Sequence, residues 1–181
     1  MRYLFWAIVF FWWALDFYLL VFKRNHEQKV AERKSKFIVT LLILIGVGLA
    51  LVPENFRSVW RHREFGTLQV FGTFVILAGV AIRFLSVLTL GKHFARDLGV
   101  HREKELVTTG IYSRVRHPSY TGEIISFLGV GLVFQHFPAS LFITIFPVVA
   151  FVYRAMVEEK MLLEEFGREY EEYRQRTRMF I

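Results

Sequence analysis

The chain has 181 residues, of which 54% are hydrophobic and 17% aromatic, and its formal charge is +7. It contains no cysteine, which excludes a disulfide scaffold, thiolate catalysis, and thiolate-bound metal or iron–sulfur sites. The charged residues concentrate in the windows 23–36, 91–119 and 154–181, with a smaller basic patch at 53–66. The stretches between these windows are nearly free of charge, which is typical of a polytopic membrane protein.

Four apolar windows approach the length of about 20 residues that a helix needs to cross a bilayer. The last window, 120–153, corresponds to about 51 Å of helix, which is too long for one crossing. We expect it to form a helical hairpin that breaks at 135–138, because Pro138 disfavours helix at the residue before it. The sequence therefore predicts a single all-α integral membrane domain over residues 1–181, with five transmembrane helices at about 3–22, 37–52, 68–90, 120–136 and 138–157.

The distribution of Lys and Arg predicts the orientation of these helices. Loops 23–36 and 91–119 each carry six cations, whereas 53–66 carries three. Because cytosolic loops are enriched in Lys and Arg, we expect the two richer loops and the tail 154–181 in the cytosol, with the N-terminus outside. This enrichment also accounts for the net positive charge and for contacts with membrane lipids. The chain has no nucleic-acid-binding motif, and we expect no nucleic-acid partner.

The tail has the pattern of an amphipathic helix, with apolar residues at spacings of three, four and seven. Gly167 interrupts the pattern, so we expect one helix to end there and a second to form over 169–178. The cytosolic loop 91–119 and the tail 154–181 are the segments in which we expect the functional site.

Four ionisable residues fall within the apolar windows or at their ends. Asp16 and Arg83 lie at matching depths, about 10 Å below the predicted cytosolic surface, which permits a buried ion pair. A packing role and a functional role for this pair are equally supported by the sequence. Glu123 and Arg154 either extend to the membrane interface or line a site.

Two motifs favour a site at the cytosolic end of the helices. The first reads Gly-x-Tyr-x3-Arg-His-Pro-x-Tyr-x-Gly over residues 110–122. Its Gly110 and His117–Pro118 pair break helix where a basic loop meets the membrane, which leaves backbone groups available to a polar ligand. Its tyrosines, Tyr112 and Tyr120, are suited to stacking on a purine. In the second motif, Glu158 follows Arg154 by four residues, which places a carboxylate and a guanidinium on one helical face.

With these motifs, residues 105–181 resemble the isoprenylcysteine carboxyl methyltransferase family of integral membrane enzymes, whereas the first three helices match it only in kind. Similar Gly-x-Tyr and Arg-His-Pro segments occur in phospholipid N-methyltransferases and membrane sterol reductases. The chain is shorter than eukaryotic members, so we expect a prokaryotic homologue, whose substrate need not be a prenylated protein. Members often carry a proline near the end of the tail, and residues 176–181 lack one. How the tail covers the site is therefore left open.

The resemblance implies an S-adenosylmethionine-dependent methyltransferase that acts on a lipophilic small-molecule or lipidated acceptor at the cytosolic membrane face. We expect the acceptor group to be a carboxylate, which is ionised near pH 7 and needs positioning rather than a strong base. Arg154 corresponds to the substrate-binding arginine, and Arg154 and Glu158 are the expected catalytic residues. The cofactor contacts implied by the family are Lys104, Glu105, Leu106, Val107, Tyr112, His117, Pro118, Ser119, Tyr120 and Glu158.

Several alternatives remain open on the sequence alone. If the enzyme resembles other branches of the superfamily, the acceptor atom is instead a nitrogen of a phospholipid, or a sulfur or oxygen of another small molecule. A nicotinamide-dependent membrane reductase and a noncatalytic membrane module are the alternatives from other functional classes. The six histidines show no metal-ligand spacing, so we expect no metal site.

Overall fold

The computed structural model describes residues 2–22, 30–52, 66–91 and 106–181. Within these residues the chain forms six α-helices, one short 3-10 helix and a single isolated β-bridge, in agreement with the predicted all-α class. We number the α-helices α1 to α6. They are α1 Arg2–Phe22, α2 Val30–Ala50, α3 Thr67–Leu90, α4 Pro118–Phe134, α5 Phe137–Phe166 and α6 Arg168–Arg176, and the 3-10 helix is Gly110–Ser113.

The helices have the apolar surfaces expected of a membrane protein. By length and composition, α3 and α5 are able to cross a membrane, and α4 and residues 5–14 of α1 are shorter apolar helices. Large hydrophobic side chains lie on the outside of the bundle, among them Phe10 and Phe71. An exposed apolar surface of this extent is suited to lipid rather than to water.

The hairpin of α4 and α5 breaks at the predicted place. Helix α4 ends at Phe134, Gln135 adopts a left-handed conformation with φ 51°, and α5 begins at Phe137. Helix α5 continues to Phe166, so the transmembrane helix predicted over 138–157 and the amphipathic helix predicted for the tail form one continuous helix. Beyond residue 157, Glu159 packs against the segment that precedes α4. Gly167 then separates α5 from α6, as expected, with φ 51°.

The predicted start of the second helix was wrong. Helix α2 begins at Val30 rather than at residue 37, so half of the predicted loop 23–36 is helical. The reason is tertiary, because Glu32 and Ser35 are buried against Arg154 of α5. Such contacts override the local preference of a polar segment for a loop. Residues 23–29 lie outside the described residues, as do 53–65 and 92–105, the last of which make up about half of the predicted cytosolic loop 91–119.

Glycines allow α3 and α4 to approach closely. Gly79 faces Gly122, and a Cβ atom added to Gly79 would lie 2.5 Å from the carbonyl oxygen of Gly122. Gly72 and Gly129 meet in the same way one heptad away along both helices. Small residues at helix–helix contacts are a common basis for helix packing in membranes. The first turn of α4 is thereby fixed against the end of α3.

A buried cluster of charges joins α1, α3 and α4. The expected ion pair is confirmed, because Arg83 Nη2 lies 2.6 Å from Asp16 Oδ1. Glu123, which the sequence allowed at the interface, has a side chain only 2% exposed and forms a second ion pair with Arg83. Trp12 donates to Glu123 at 3.3 Å, and Arg83 donates to Ser119 at 2.9 Å. The cluster therefore reaches the first turn of α4.

Candidate active site

The first motif forms the entry to α4. Gly110 has φ 59°, a left-handed conformation that favours glycine, and a Cβ atom there would lie 2.9 Å from Cγ2 of Thr89. The chain then makes the 3-10 helix and reaches His117, the N-cap of α4, which is followed by Pro118 in the first turn. Proline suits this position because its missing N–H would lack a helical partner anyway. The motif thus orients His117 and Tyr120 at the start of a buried helix.

Tyr120 lies between two aromatic rings and two charged side chains. Its ring stacks on His117 with centroids 5.6 Å apart, and on Phe151 of α5 at the same distance. Its hydroxyl donates to Glu158 Oε1 at 2.7 Å and accepts from Arg154 Nε at 3.2 Å. The structure therefore brings the two sequence motifs together at this side chain.

Arg154 is buried and surrounded by hydrogen-bond acceptors. Its Nη1 donates to the carbonyl oxygen of Glu32 at 3.2 Å and to Oγ of Ser35. Its Nη2 lies 3.5 Å from Glu32 Oε1 and 3.3 Å from Glu158 Oε1. Glu32 and Ser35 were not predicted as site residues. The local sequence offers one signal, because Lys36 follows Glu32 by four residues as in a helix, and this spacing indicates helical structure but not burial against Arg154.

His117 is held by two carboxylates of α5. Its Nε2 lies 3.0 Å from Glu159 Oε1, and its Nδ1 lies 3.6 Å from Glu158 Oε2. Burial alone would lower the pKa of His117, but hydrogen bonds and charge from Glu158 and Glu159 outweigh it and raise this pKa above its usual value. The protonated imidazolium is therefore favoured, and both ring nitrogens serve to orient carboxylates.

Glu159, which was not predicted as a site residue, links the segment that precedes α4 to α5 and α6. Its Oε1 accepts from Arg116 Nε at 2.7 Å and from the hydroxyl of Tyr170 at 2.8 Å. In sequence it is one of many glutamates of the charged tail, with no feature that marks it. Its neighbour Glu158 was predicted from its spacing of four residues from Arg154 and from the family resemblance.

The C-terminal residues cover the entry of α4. Arg116 N–H donates to the carbonyl of Arg178 at 2.9 Å, and Arg178 N–H donates to the carbonyl of Arg114 at 3.0 Å. The ring of Phe180 lies 6.2 Å from that of His117. This short parallel pairing of residues 114–117 with 177–180 supplies the covering that the sequence left open.

Tyr112 is in contact with helix α6. Its side chain is buried, and its carbonyl accepts the hydroxyl of Tyr173 from α6 at 2.7 Å. Burial raises the pKa of both tyrosines, that of Tyr173 to about 12, so both stay neutral hydrogen-bonding groups. Tyr112 fastens the 3-10 helix to α6.

The remaining predicted cofactor residues are spread along the same segment. Leu106 and Val107 are half-buried in the extended stretch before the 3-10 helix, and Pro118 is buried in the first turn of α4. Ser119 is turned toward the charge cluster, where its hydroxyl accepts from Arg83. Lys104 and Glu105 lie outside the described residues.

Comparison with known proteins identifies the family of this site. Residues 67–169, which include α3, the first motif, α4 and all of α5, match the family model for phospholipid methyltransferase. The chain belongs to the phospholipid methyltransferase family. The resemblance to isoprenylcysteine methyltransferases is also confirmed, because several curated relatives carry that name.

Three relatives illustrate the extent of the similarity. The probable protein-S-isoprenylcysteine O-methyltransferase of Oryza sativa subsp. indica is 33% identical over 117 residues, which cover 64% of this chain and 61% of that protein. The Saccharomyces cerevisiae enzyme of the same type is 37% identical over 111 residues, with 60% and 46% covered. The Schizosaccharomyces pombe enzyme is 32% identical over 125 residues, with 68% and 53% covered. The matched part of the chain thus spans about half to three fifths of the length of these relatives.

Proposed function

We propose that the protein is an S-adenosylmethionine-dependent methyltransferase that methylates a carboxylate on a lipophilic acceptor. The observation that carries this proposal is the cluster of Arg154, Tyr120 and Glu158, in which a guanidinium and a carboxylate meet at one end of apolar helices. The family and the names of the curated relatives support a methyltransferase of this kind.

The residues present fit the chemistry of the cofactor. S-adenosylmethionine supplies an electrophilic methyl group on a sulfonium, and it also carries an ammonium and a purine. Glu158 offers a carboxylate whose side chain is 26% exposed, beside the stacked rings of His117 and Tyr120. Glu158 would bind the ammonium, and the backbone near residues 104–107 and 117–120 would hold the rest.

Within this proposal, Arg154 orients the acceptor. A guanidinium binds a carboxylate by charge-assisted hydrogen bonds, and such an ionised oxygen attacks without prior loss of a proton. The rate advantage then comes from holding the two reactants in line, which converts a bimolecular step into an intramolecular one. The buried position of Arg154 excludes water and strengthens these interactions.

The proposal includes a location in the membrane. We place five helices across a prokaryotic cell membrane, with the N-terminus outside and the site at the cytosolic face, in one domain. The distribution of Lys and Arg supports this orientation. A lipidic acceptor, whether a small molecule or a lipidated chain, would reach Arg154 laterally between helices, while the cofactor would enter from the cytosol.

The test uses the full chain purified in detergent. Calorimetry should detect binding of S-adenosylmethionine, and a radiolabelled methyl group should pass to S-prenylated N-acetylcysteine. Arg154→Ala should reduce transfer by about 30-fold or more, because it removes a charge-assisted contact to the acceptor of about 2–5 kcal/mol, while cofactor affinity changes little. Arg168→Ala, at an exposed ion pair of α6, is the matched control. Absence of cofactor binding would refute the proposal.

A second candidate is methylation of a phospholipid amine, which is favoured by the name of the matching family model. An amine must lose a proton before it attacks, so its methylation rate should rise with pH through the range where the acceptor deprotonates. A carboxylate acceptor should show no such rise. The two candidates are distinguished by measuring methylation rates at several pH values, once with vesicles containing phosphatidylethanolamine and once with the prenylated carboxylate.

A further inference from the structure

We propose that Glu32 of α2 competes with the acceptor carboxylate for Arg154 and thereby sets acceptor affinity and specificity. The inference rests on the proposed function, because it takes Arg154 as the group that meets the acceptor. Glu32 lies 122 residues from Arg154 in sequence, on a helix outside the matched family region. The sequence motifs give no indication of its role.

The hydrogen bonds of Arg154 show why competition is unavoidable. A guanidinium has five N–H donors. In this structure they face five acceptor atoms: the hydroxyls of Tyr120 and Ser35, the carbonyl and Oε1 of Glu32, and Oε1 of Glu158. An acceptor carboxylate can therefore bind Arg154 only by replacing at least one of these atoms.

The distances indicate which contacts exchange most readily. Nη1 is anchored by Ser35 and by a backbone carbonyl that the helix holds in place. Among the described residues, Nη2 faces the carboxylates of Glu32 and Glu158, at 3.5 and 3.3 Å. Charge-assisted bonds of this type are usually about 2.7–2.9 Å long, so these two are weak.

Of the two carboxylates near Nη2, Glu32 is the one that can leave at lower cost. Glu158 is also held by Tyr120, which donates to it, and it lies near His117. Glu32 Oε1 has an alternative cation in Lys36, whose Nζ lies 2.7 Å away, one turn further along α2. A carboxylate that retains Lys36 is not left without a countercharge when Arg154 turns to the acceptor.

This exchange favours anionic acceptors. A carboxylate can replace Glu32 at Nη2 with no change in the number of charges around the guanidinium. A cationic amine gains nothing from the departure of Glu32 and benefits from its negative charge. The effect of neutralising Glu32 should therefore have opposite signs for the two acceptor classes.

The experiment compares full-length Glu32→Gln and Lys36→Gln with the wild-type protein in detergent. Calorimetry measures the Kd of S-prenylated N-acetylcysteine and of S-adenosylmethionine, and transfer assays measure KM and kcat. Glu32→Gln should lower the acceptor Kd and KM about three- to tenfold, the effect of losing one competing hydrogen bond. Lys36→Gln should raise both about threefold, because Glu32 then depends more strongly on Arg154. The cofactor Kd should stay within about twofold in both variants.

A merely structural role for Glu32 predicts a different outcome. Loss of a structural contact would weaken acceptor and cofactor binding together and would shift both variants in the same direction. Such a result, or an unchanged acceptor Kd in Glu32→Gln, would overturn the inference. Glu32→Asp provides a second variant should the glutamine protein not fold, since its shorter side chain keeps the charge but retracts from Nη2, and it should lower the acceptor Kd by a smaller factor.

The result is distinguishable from failure of the proposed function. If the wild-type protein transfers no methyl group to the carboxylate, the proposed function fails. The acceptor Kd values of the three proteins still decide the role of Glu32. If transfer occurs and the two variants do not move the Kd in opposite directions, the inference fails alone.

Discussion

Tyr120 donates its hydroxyl proton to Glu158 over 2.7 Å, and this bond joins the first turn of α4 to the C-terminal half of α5. The two residues belong to separate motifs 38 positions apart in sequence. The same hydroxyl accepts from Arg154, so one oxygen atom fixes the relative positions of the proposed cofactor-binding carboxylate and the proposed acceptor-binding guanidinium.

Tyr120→Phe tests this bridge while it keeps the ring that stacks between His117 and Phe151. We expect methyl transfer to fall about tenfold or more, because the loss of a hydrogen bond to a buried charged group costs about 1.5–3 kcal/mol. The melting temperature should change by only a few degrees. Tyr153→Phe is the control, because it removes a hydroxyl from a half-buried tyrosine of α5, the helix that carries Arg154 and Glu158. Equal activity of the two variants would show that the bridge has no role in positioning.

His117 should make the stability of the protein depend on pH. Its pKa in the folded protein is raised above the usual 6.5 because Glu158 and Glu159 stabilise the charged ring more than burial opposes it. Among the described residues, Tyr120, Arg116 and Tyr170 are the other charged or titratable groups near His117 and its carboxylates. A raised pKa means that the stabilisation is complete below the unfolded-state value and is lost as pH rises through the folded-state value.

The measurement is the melting temperature in detergent from pH 6 to pH 9, with wild-type and His117→Gln proteins side by side. The melting temperature of the wild-type protein, relative to that of the variant, should fall as the pH rises from about 6.5, because the imidazolium loses its proton. Glutamine keeps a donor but does not titrate, so its curve should lack this step. Parallel curves for the two proteins would contradict a stabilising imidazolium.

The parts of this structure that local chemistry determines were accessible from the sequence. Pro138 and Gly167 mark helix ends through their own backbone preferences, and both ends are where the sequence placed them. The pairing of Asp16 with Arg83 followed from depth alone, because two opposite charges at one level of an apolar bundle have few other partners.

Local chemistry does not determine the partners of Arg154. Glu32 lies in a basic window that reads as a loop, and its burial depends on how α2 packs on α5 rather than on its neighbours in sequence. Glu159 is likewise one glutamate among several, selected only by the fold that brings Arg116 and His117 to it. The positions of both glutamates are determined by long-range packing, which local sequence patterns do not reveal.

The close packing of α3 on α4 provides a matched pair of glycine variants. Gly79→Ala places a Cβ atom 2.5 Å from the carbonyl of Gly122, so the helices must separate, and we expect a loss of about 1–3 kcal/mol in stability. Gly48→Ala on α2 has open space within 4 Å, and it should be neutral or slightly stabilising because alanine favours helix. Melting temperatures of the two proteins test this. A tolerated Gly79→Ala together with wild-type activity would mean that the interface accommodates a wider spacing.

The pairing of the C-terminal residues with the entry of α4 rests partly on one backbone amide. Arg178 N–H donates to the carbonyl of Arg114, and Arg178→Pro removes that donor, whereas Arg178→Ala keeps it. The proline variant should leave the carbonyl without its partner at a cost of about 1–3 kcal/mol, and it should loosen residues 114–117. His117, a predicted cofactor contact, is one of these residues. We therefore expect the affinity for S-adenosylmethionine, measured by calorimetry, to fall about tenfold in the proline variant and to stay near wild type in the alanine variant. Equal affinities would show that this pairing only covers the site, whereas a loss in both variants would assign the effect to the arginine side chain.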